Sequence, residues 1–401
     1  MEIGTLGIPK IKLEHLLLIQ TLSMRAVCQY QEILETTDKG HEITKSLTDD
    51  PRVIALNGQM VSTGSGDAGF DPMFLSMWYL WCINEYGEEK AKDYLNRFLS
   101  SDKIQVLNTL WVLGIKVTKP IVINGDYIIK PVDCMPDSDD KEYYLQHTFG
   151  NWQNVKITPQ CAITKLCEIK KAGTETSIMS PAFKMDFHKV SKTLHDISLL
   201  LNALRGIYCL AYSSTSYVEP TTPLGIFNGS GGGMTIYDVT SHTSTELQIE
   251  PKTSINRLFT NFSKLCDAEK DRFRIILSRL SQAKRGTQIE DKILDLGIAL
   301  EMLLLKDKTE KEQLALTFRL RGSWLIDKDD PENRYKKYNQ LKDLYNYRSR
   351  VAHSGKLEKD VQKLKTIRNS FTDYQSLAED ICQIILSEGS PDWDKLILDV
   401  K

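Results

Sequence analysis

From Ser254 to the C-terminus the apolar residues recur at intervals of three and four, and no stretch alternates. A strand facing one core repeats every second residue, whereas a helix repeats near 3.6, so this last third of the chain is confined to helices. Five segments are expected, roughly 255–282, 287–306, 309–326, 332–353 and 358–388, separated by breaks such as Lys284-Arg285-Gly286 and Asp329-Asp330-Pro331. In the second, Ile289, Ile293, Leu296, Leu300 and Leu303 form one face to bury. Short connections between such helices give a compact bundle.

The preceding residues mix both periods. Helices are expected over 12–35, 72–101 and about 184–212. In the last, Phe187, Val190, Leu194, Ile197, Leu201 and Leu204 make a three-four seam under three heptads long, too short for a dimerising coil and read as an ordinary core face. KVTKPIVINGDYIIKPV places Asn124-Gly125 between two β-rich runs, the dipeptide of a tight hairpin, and CAITKLCEI from Cys161 reads as a further strand. EPTTPLGIFNGSGGGM is a low-order stretch ahead of a strand-like alternation in TIYDVTSHTSTELQIE. Its GSGGG leads into a strand and lacks the Lys-Ser/Thr of a phosphate loop, so a flexible turn is expected.

At 401 residues the chain exceeds what one core usually covers. The expected organisation is an α+β domain over 1–250 followed by an all-α domain over 251–401, with the boundary near Pro251. The start, MEIGTLGIPKIKLEH, has no secretory pattern, and ISLLLNALRGIYCLAY is too short and too polar to span a bilayer. A soluble, cytoplasmic protein without a membrane partner is expected. Eight cysteines without a CxxC pair suggest neither zinc knuckle nor disulfide framework. The formal net charge of −2 conceals an asymmetry: residues 1–255 carry −6 and residues 256–401 carry +4, with 11 of the 15 arginines in the latter. Arginine's planar fork suits phosphate, which hints at a nucleic-acid partner.

The chain has no HExxH, DxDxDG, GxSxG or Walker sequence, so no cofactor or metal is expected. His188 and His195 beside Asp196 share a helix face but lack a third ligand. The remaining constellation is Arg348, Arg350 and His353 in YNYRSRVAHSG, at the end of the fourth C-terminal helix. Arg-x4-His alone is short enough to arise by chance. On an unbroken helix the two residues stand about 7.5 Å apart along the axis and about 140° apart around it. The arginine's reach, the end of the helix or a second copy of the chain would have to bring them together, and a twofold axis would gather two histidines and several arginines into one cleft. Such a cleft suits RNA cleavage by the neighbouring 2′-hydroxyl. The nucleophile is already in the substrate, histidine moves protons near neutral pH, and arginine steadies charge on the phosphorane.

Three stretches, DKILDLGIALEMLLL (291–305), EQLALTFRLRGSWLI (312–326) and YKKYNQLKDLYNYRSRVAHSGKL (335–357), resemble the HEPN superfamily, most closely its Apea-like branch. That resemblance implies a dimerising α-helical module that cuts RNA without metal, leaves a 2′,3′-cyclic phosphate and a 5′-hydroxyl, and serves as a toxin or antiviral effector. Arg348 and His353 match the family's Arg-x4-6-His motif. Ser349 stands where many members carry Asn, Asp or His and cannot take a proton at neutral pH. Arg350 is an added candidate for phosphate contact, with a simple surface arginine the equal alternative. Glu301, in the apolar ALEMLLL run, needs a partner if buried and is expected to orient Arg348 or Arg319, or to lie at the helix edge. Asp295 is read as solvated or in an internal ion pair. The resemblance does not reach residues 1–250, where a sensing role toward an unidentified trigger or inhibitor follows only from the architecture of such effectors. The RNA partner expected of the ribonuclease is tRNA or mRNA; the rival readings are a non-catalytic HEPN module that binds RNA or a partner and uses its helical face for dimerisation, and a histidine that merely caps its helix.

Overall fold

The computed structural model describes residues 2–10, 24–62, 67–138, 141–142, 145, 158–173, 181–223, 245–247, 254–306, 313–357 and 360–398. The N-terminal part mixes helices and strands. It comprises α1 (Met24–Thr36), α2 (Asp38–Thr48), α3 (Pro51–Ile54), β1 (Met60–Ser62), β2 (Asp67–Gly69), α4 (Pro72–Tyr86), α5 (Glu88–Ser100), β3 (Lys103–Leu113), β4 (Ile115–Lys116), β5 (Ile121–Ile123), β6 (Tyr127–Pro131), β7 (Cys161–Lys170), β8 (Ala172–Gly173), α6 (Pro181–Leu201), β9 (Leu210–Tyr217) and β10 (Thr245–Glu246). The C-terminal part is helical: α7 (Ser254–Lys264), α8 (Asp267–Arg285), α9 (Ile289–Leu304), α10 (Leu314–Ile326), α11 (Pro331–Ser354), α12 (Val361–Glu388) and α13 (Trp393–Leu398).

The main sheet is antiparallel with order β5-β6-β7-β3-β9. The Asn124-Gly125 hairpin forms as the dipeptide demands, with φ of 51° and 80° at its two residues. The alternation along β3 and β7 assigns Leu110, Val112, Cys161 and Ile163 to one face, where they are fully buried. That face packs on α6 and continues into the C-terminal helices as a single core holding Leu194, Ile197, Leu201, Ile255, Phe273, Leu300 and Ile381. Where its side chains are described the three-four seam is a core face: Leu194, Ile197 and Leu201 of α6 and Leu204 just beyond it are buried, and Val190 is half-buried. Helices α1–α5 enclose a second core around Tyr30, Trp78 and Leu80.

Three expected helices end elsewhere, each for a local reason. The 72–101 helix is two, because Gly87 adopts φ 87° and ψ 163°, which terminates α4 while Glu88 and Glu89 open α5. The 184–212 helix stops at Leu201. There the Asn202 side chain donates to the Cys209 carbonyl (2.8 Å) and accepts from its N–H (3.0 Å), turning the chain into β9. The first C-terminal helix divides at Leu265-Cys266, where Cys266 is extended and Asp267 and Glu269 begin a new first turn. The boundary expected near Pro251, the GSGGG stretch and the start of the 12–35 helix lie outside the described residues. Among the described residues no helix is long and apolar enough to cross a membrane.

Buried polar contacts join the two parts. Arg274 makes a two-pronged bond to Asp196, both distances 2.7 Å. The side chain of Lys284, expected from sequence to lie in a break between helices, is buried near the end of α8. Its Nζ pairs with Glu379 Oε1 (2.9 Å) and donates to the carbonyls of Asn202 and Ile207, while Glu379 Oε2 accepts the Gly206 N–H (3.1 Å). Backbone groups that the early stop of α6 leaves without helical partners are thus satisfied by α8 and α12.

Candidate functional site

The site is built on α9 and α11. Helix α11 begins at Asp330, whose carboxylate accepts the N–H groups of Glu332 and Asn333 (both 3.0 Å), with Pro331 at the first helical position. It runs unbroken to Ser354 and ends on Gly355 at φ 66°. Leu341, Leu344 and Val351 bury its inner side. Arg348, four residues after Leu344 and three before Val351, shares that side and is half-buried.

The stem of Arg348 lies on Gly297 of α9. A β-carbon at Gly297 would stand 2.3 Å from Arg348 Cγ and 2.8 Å from its Cβ, so this position admits only glycine while Arg348 stays in place. One turn further along α9, Glu301 accepts from Arg348 Nη2 at 2.5 Å. Burial pushes the Glu301 carboxyl up from its ordinary value, with the charge and hydrogen bond of Arg348 opposing. Arg348 Nε is buried without a hydrogen-bond acceptor among the described residues. Of the two partners expected for Glu301, Arg348 is the one found; Arg319 instead sits over the Tyr338 ring, 5.1 Å from its centroid.

His353 is exposed in the last turn of α11. Because the helix is regular through both positions, His353 and Arg348 point about 140° apart, and Arg348 is drawn toward α9. Within one chain they do not converge. Ser349 is half-buried. Arg350 donates from Nη1 to the Leu357 carbonyl (3.0 Å), bracing the turn after the helix. Asp295 forms the internal ion pair expected as one of its two readings, 2.9 Å from Arg279. Asp196, beside His195, is committed to Arg274, and among the described residues no group of three or more His, Cys, Asp or Glu side chains is placed to hold a metal.

Gly297 was not singled out in the sequence, although a signal was present. A glycine inside a continuous apolar helix costs about 1 kcal/mol relative to alanine and calls for a packing reason. Away from these residues, a concavity of about 780 Å³ lies on the outer face of the sheet, bordered by Tyr94, Arg97, Lys103, Lys130, Leu166 and Tyr217.

No protein-family model, curated protein or solved structure matches the chain.

Proposed function

We propose that the protein is a metal-independent endoribonuclease of HEPN type, acting in the cytoplasm as a homodimer and serving as a toxin or antiviral effector. One observation carries this reading: Arg348 is held between Gly297 and Glu301 while His353 stands exposed on the other side of the same helix end. A helix that only packs has no need to reserve a glycine in its neighbour for an arginine. A second copy of α11 across a twofold axis supplies what one chain lacks, a cleft with two histidines and clamped guanidinium groups.

In that cleft one imidazole removes the proton of the ribose 2′-hydroxyl as its oxygen attacks the adjacent phosphorus. The bond from phosphorus to the 5′-oxygen breaks, and a second imidazole, protonated, gives that oxygen a proton. The products are a 2′,3′-cyclic phosphate and a 5′-hydroxyl, and the proton that one histidine takes from the 2′-hydroxyl is matched by the proton the other gives to the 5′-oxygen. Arg348 steadies the charge on the phosphorane, with Glu301 fixing the plane of its fork. Ser349 offers a hydrogen bond but no proton transfer. The open groove on the N-terminal sheet is where a trigger or inhibitor would dock.

The alternative, a non-catalytic HEPN module that binds RNA or dimerises, is favoured by one feature: the Glu301 carboxylate already offsets the Arg348 charge. Substitution separates the two. His353→Ala abolishes cleavage and leaves the oligomeric state unchanged, and Arg348→Lys also fails because a point charge does not replace a two-pronged fork. Cleavage by both variants refutes the assignment.

A further inference from the structure

A ladder of flat groups stands on the outer surface of α10 and α11, at the far end of α11 from His353. Arg319 lies over Tyr338, and Tyr338 is parallel to Tyr335, with ring centroids 6.5 Å apart and planes 9° apart. The outermost ring, Tyr335, is 68% exposed. The stack is thus assembled from inside outward, guanidinium then ring then ring, and ends on an aromatic face in solvent.

The position of that ring on the helix gives it a direction. At 100° per residue, Tyr335, Lys342, Asn346 and His353 fall within about 20° of one line along α11. Lys342, Asn346 and His353 are exposed, and Asn339 and Ser349 flank the line half-buried. The line therefore runs from a stacking ring through an ammonium and an amide to an imidazole, over about 27 Å. It carries no carboxylate: Glu332 and Asp343, the acidic residues of α11, lie about 60–80° to one side. It also carries no aliphatic side chain, which a protein partner would need for the apolar centre of an interface. A stacking ring followed along one line by an ammonium, an amide and an imidazole is the kind of arrangement that holds single-stranded nucleic acid.

We propose that Tyr335 is a stacking platform for a base of single-stranded RNA, and that the exposed line from Tyr335 through Lys342 and Asn346 leads the strand to His353. The direction of the track rests on the ribonuclease reading, while the platform itself does not. A span of 27 Å takes up about eight stacked nucleotides, fewer if the strand is extended. A dinucleotide held at His353 therefore never reaches the ring.

The test uses the full chain with His353 in place, a dinucleotide and a single strand of about 12 nucleotides carrying 2-aminopurine, both 2′-O-methylated so that they lack the attacking hydroxyl and survive. Tyr335→Ala weakens binding of this strand about five- to a hundredfold and restores 2-aminopurine fluorescence, Tyr335→Phe does neither, and dinucleotide affinity stays unchanged. Equal affinity of Tyr335→Ala and its parent for the long strand overturns the proposal. So does an equal loss on the dinucleotide, which would make the ring a support for the helix, or a change of oligomeric state, which would make it a contact between proteins. If the unmutated protein binds RNA in a Tyr335-dependent way but never cleaves it, the platform stands and the nuclease reading falls.

Discussion

Gly297→Ala tests the packing on which the arginine's placement depends. In an open helix the change is favourable by about 1 kcal/mol, because alanine loses less backbone freedom. Here the new methyl would lie 2.3 Å from Arg348 Cγ and 2.8 Å from its Cβ. The Cγ contact is relieved by swinging the side chain away, which abandons Glu301; the Cβ contact is relieved only by moving α11. Overpacking of this kind costs about 1–3 kcal/mol, so the net effect is a loss of up to about 2 kcal/mol. Arg348→Ala removes Cγ and with it the worse contact. A double-mutant cycle on Gly297→Ala and Arg348→Ala, followed by urea unfolding, should therefore show a favourable coupling of about 1–2 kcal/mol. Strict additivity, or a stabilised Gly297→Ala protein that retains full RNA cleavage, refutes the claim that the glycine exists to seat the arginine.

Three further outcomes follow from the same geometry. Lys284→Ala leaves Glu379 fully buried without its cation beside the 202–207 turn and costs about 3–5 kcal/mol by urea unfolding, whereas the Lys284→Met, Glu379→Leu pair recovers only part of that loss, because the Asn202 and Ile207 carbonyls and the Gly206 N–H lose their partners too. The Glu301 carboxyl is raised in the folded chain, so the fold binds its proton more tightly than the unfolded chain does. Its contribution is fully present below the ordinary value of 4.5 and is lost as pH climbs through the raised one. Urea midpoints across that acid window fall less steeply in Glu301→Gln, and identical slopes would contradict the burial argument. Lengthening the Glu301 side chain's separation from Arg348, by Glu301→Asp, loosens the fork and lowers the cleavage rate more than RNA affinity, read from kcat and KM separately.

The elements that were legible in the sequence are those whose signal is local. The Asn124-Gly125 hairpin, β7, and the helices α9 and α11 follow from turn chemistry, a β-rich run, three-four periodicity or breaks such as Asp329-Asp330-Pro331. The breaks at Gly87 and Asn202 were not, because the residues beyond them continue an acceptable helical pattern and only the fold shows the turn. Lys284 illustrates the larger limit: in Lys284-Arg285-Gly286 it reads as part of a helix break, yet it lies within α8 and α12 brings Glu379 against it from nearly a hundred residues away. At the site, Arg348, His353 and Glu301 were legible as chemistry. Which partner Glu301 takes, and why Gly297 sits opposite Arg348, depends on how α9 crosses α11.

The account is tested most directly by incubating the purified protein and its His353→Ala variant with total RNA and tRNA in EDTA, and reading the product ends on a denaturing gel. It predicts cleavage by the unmutated protein alone, leaving 2′,3′-cyclic phosphate and 5′-hydroxyl ends. Cleavage that His353→Ala retains, that EDTA abolishes, or that leaves 5′-phosphate ends would contradict it.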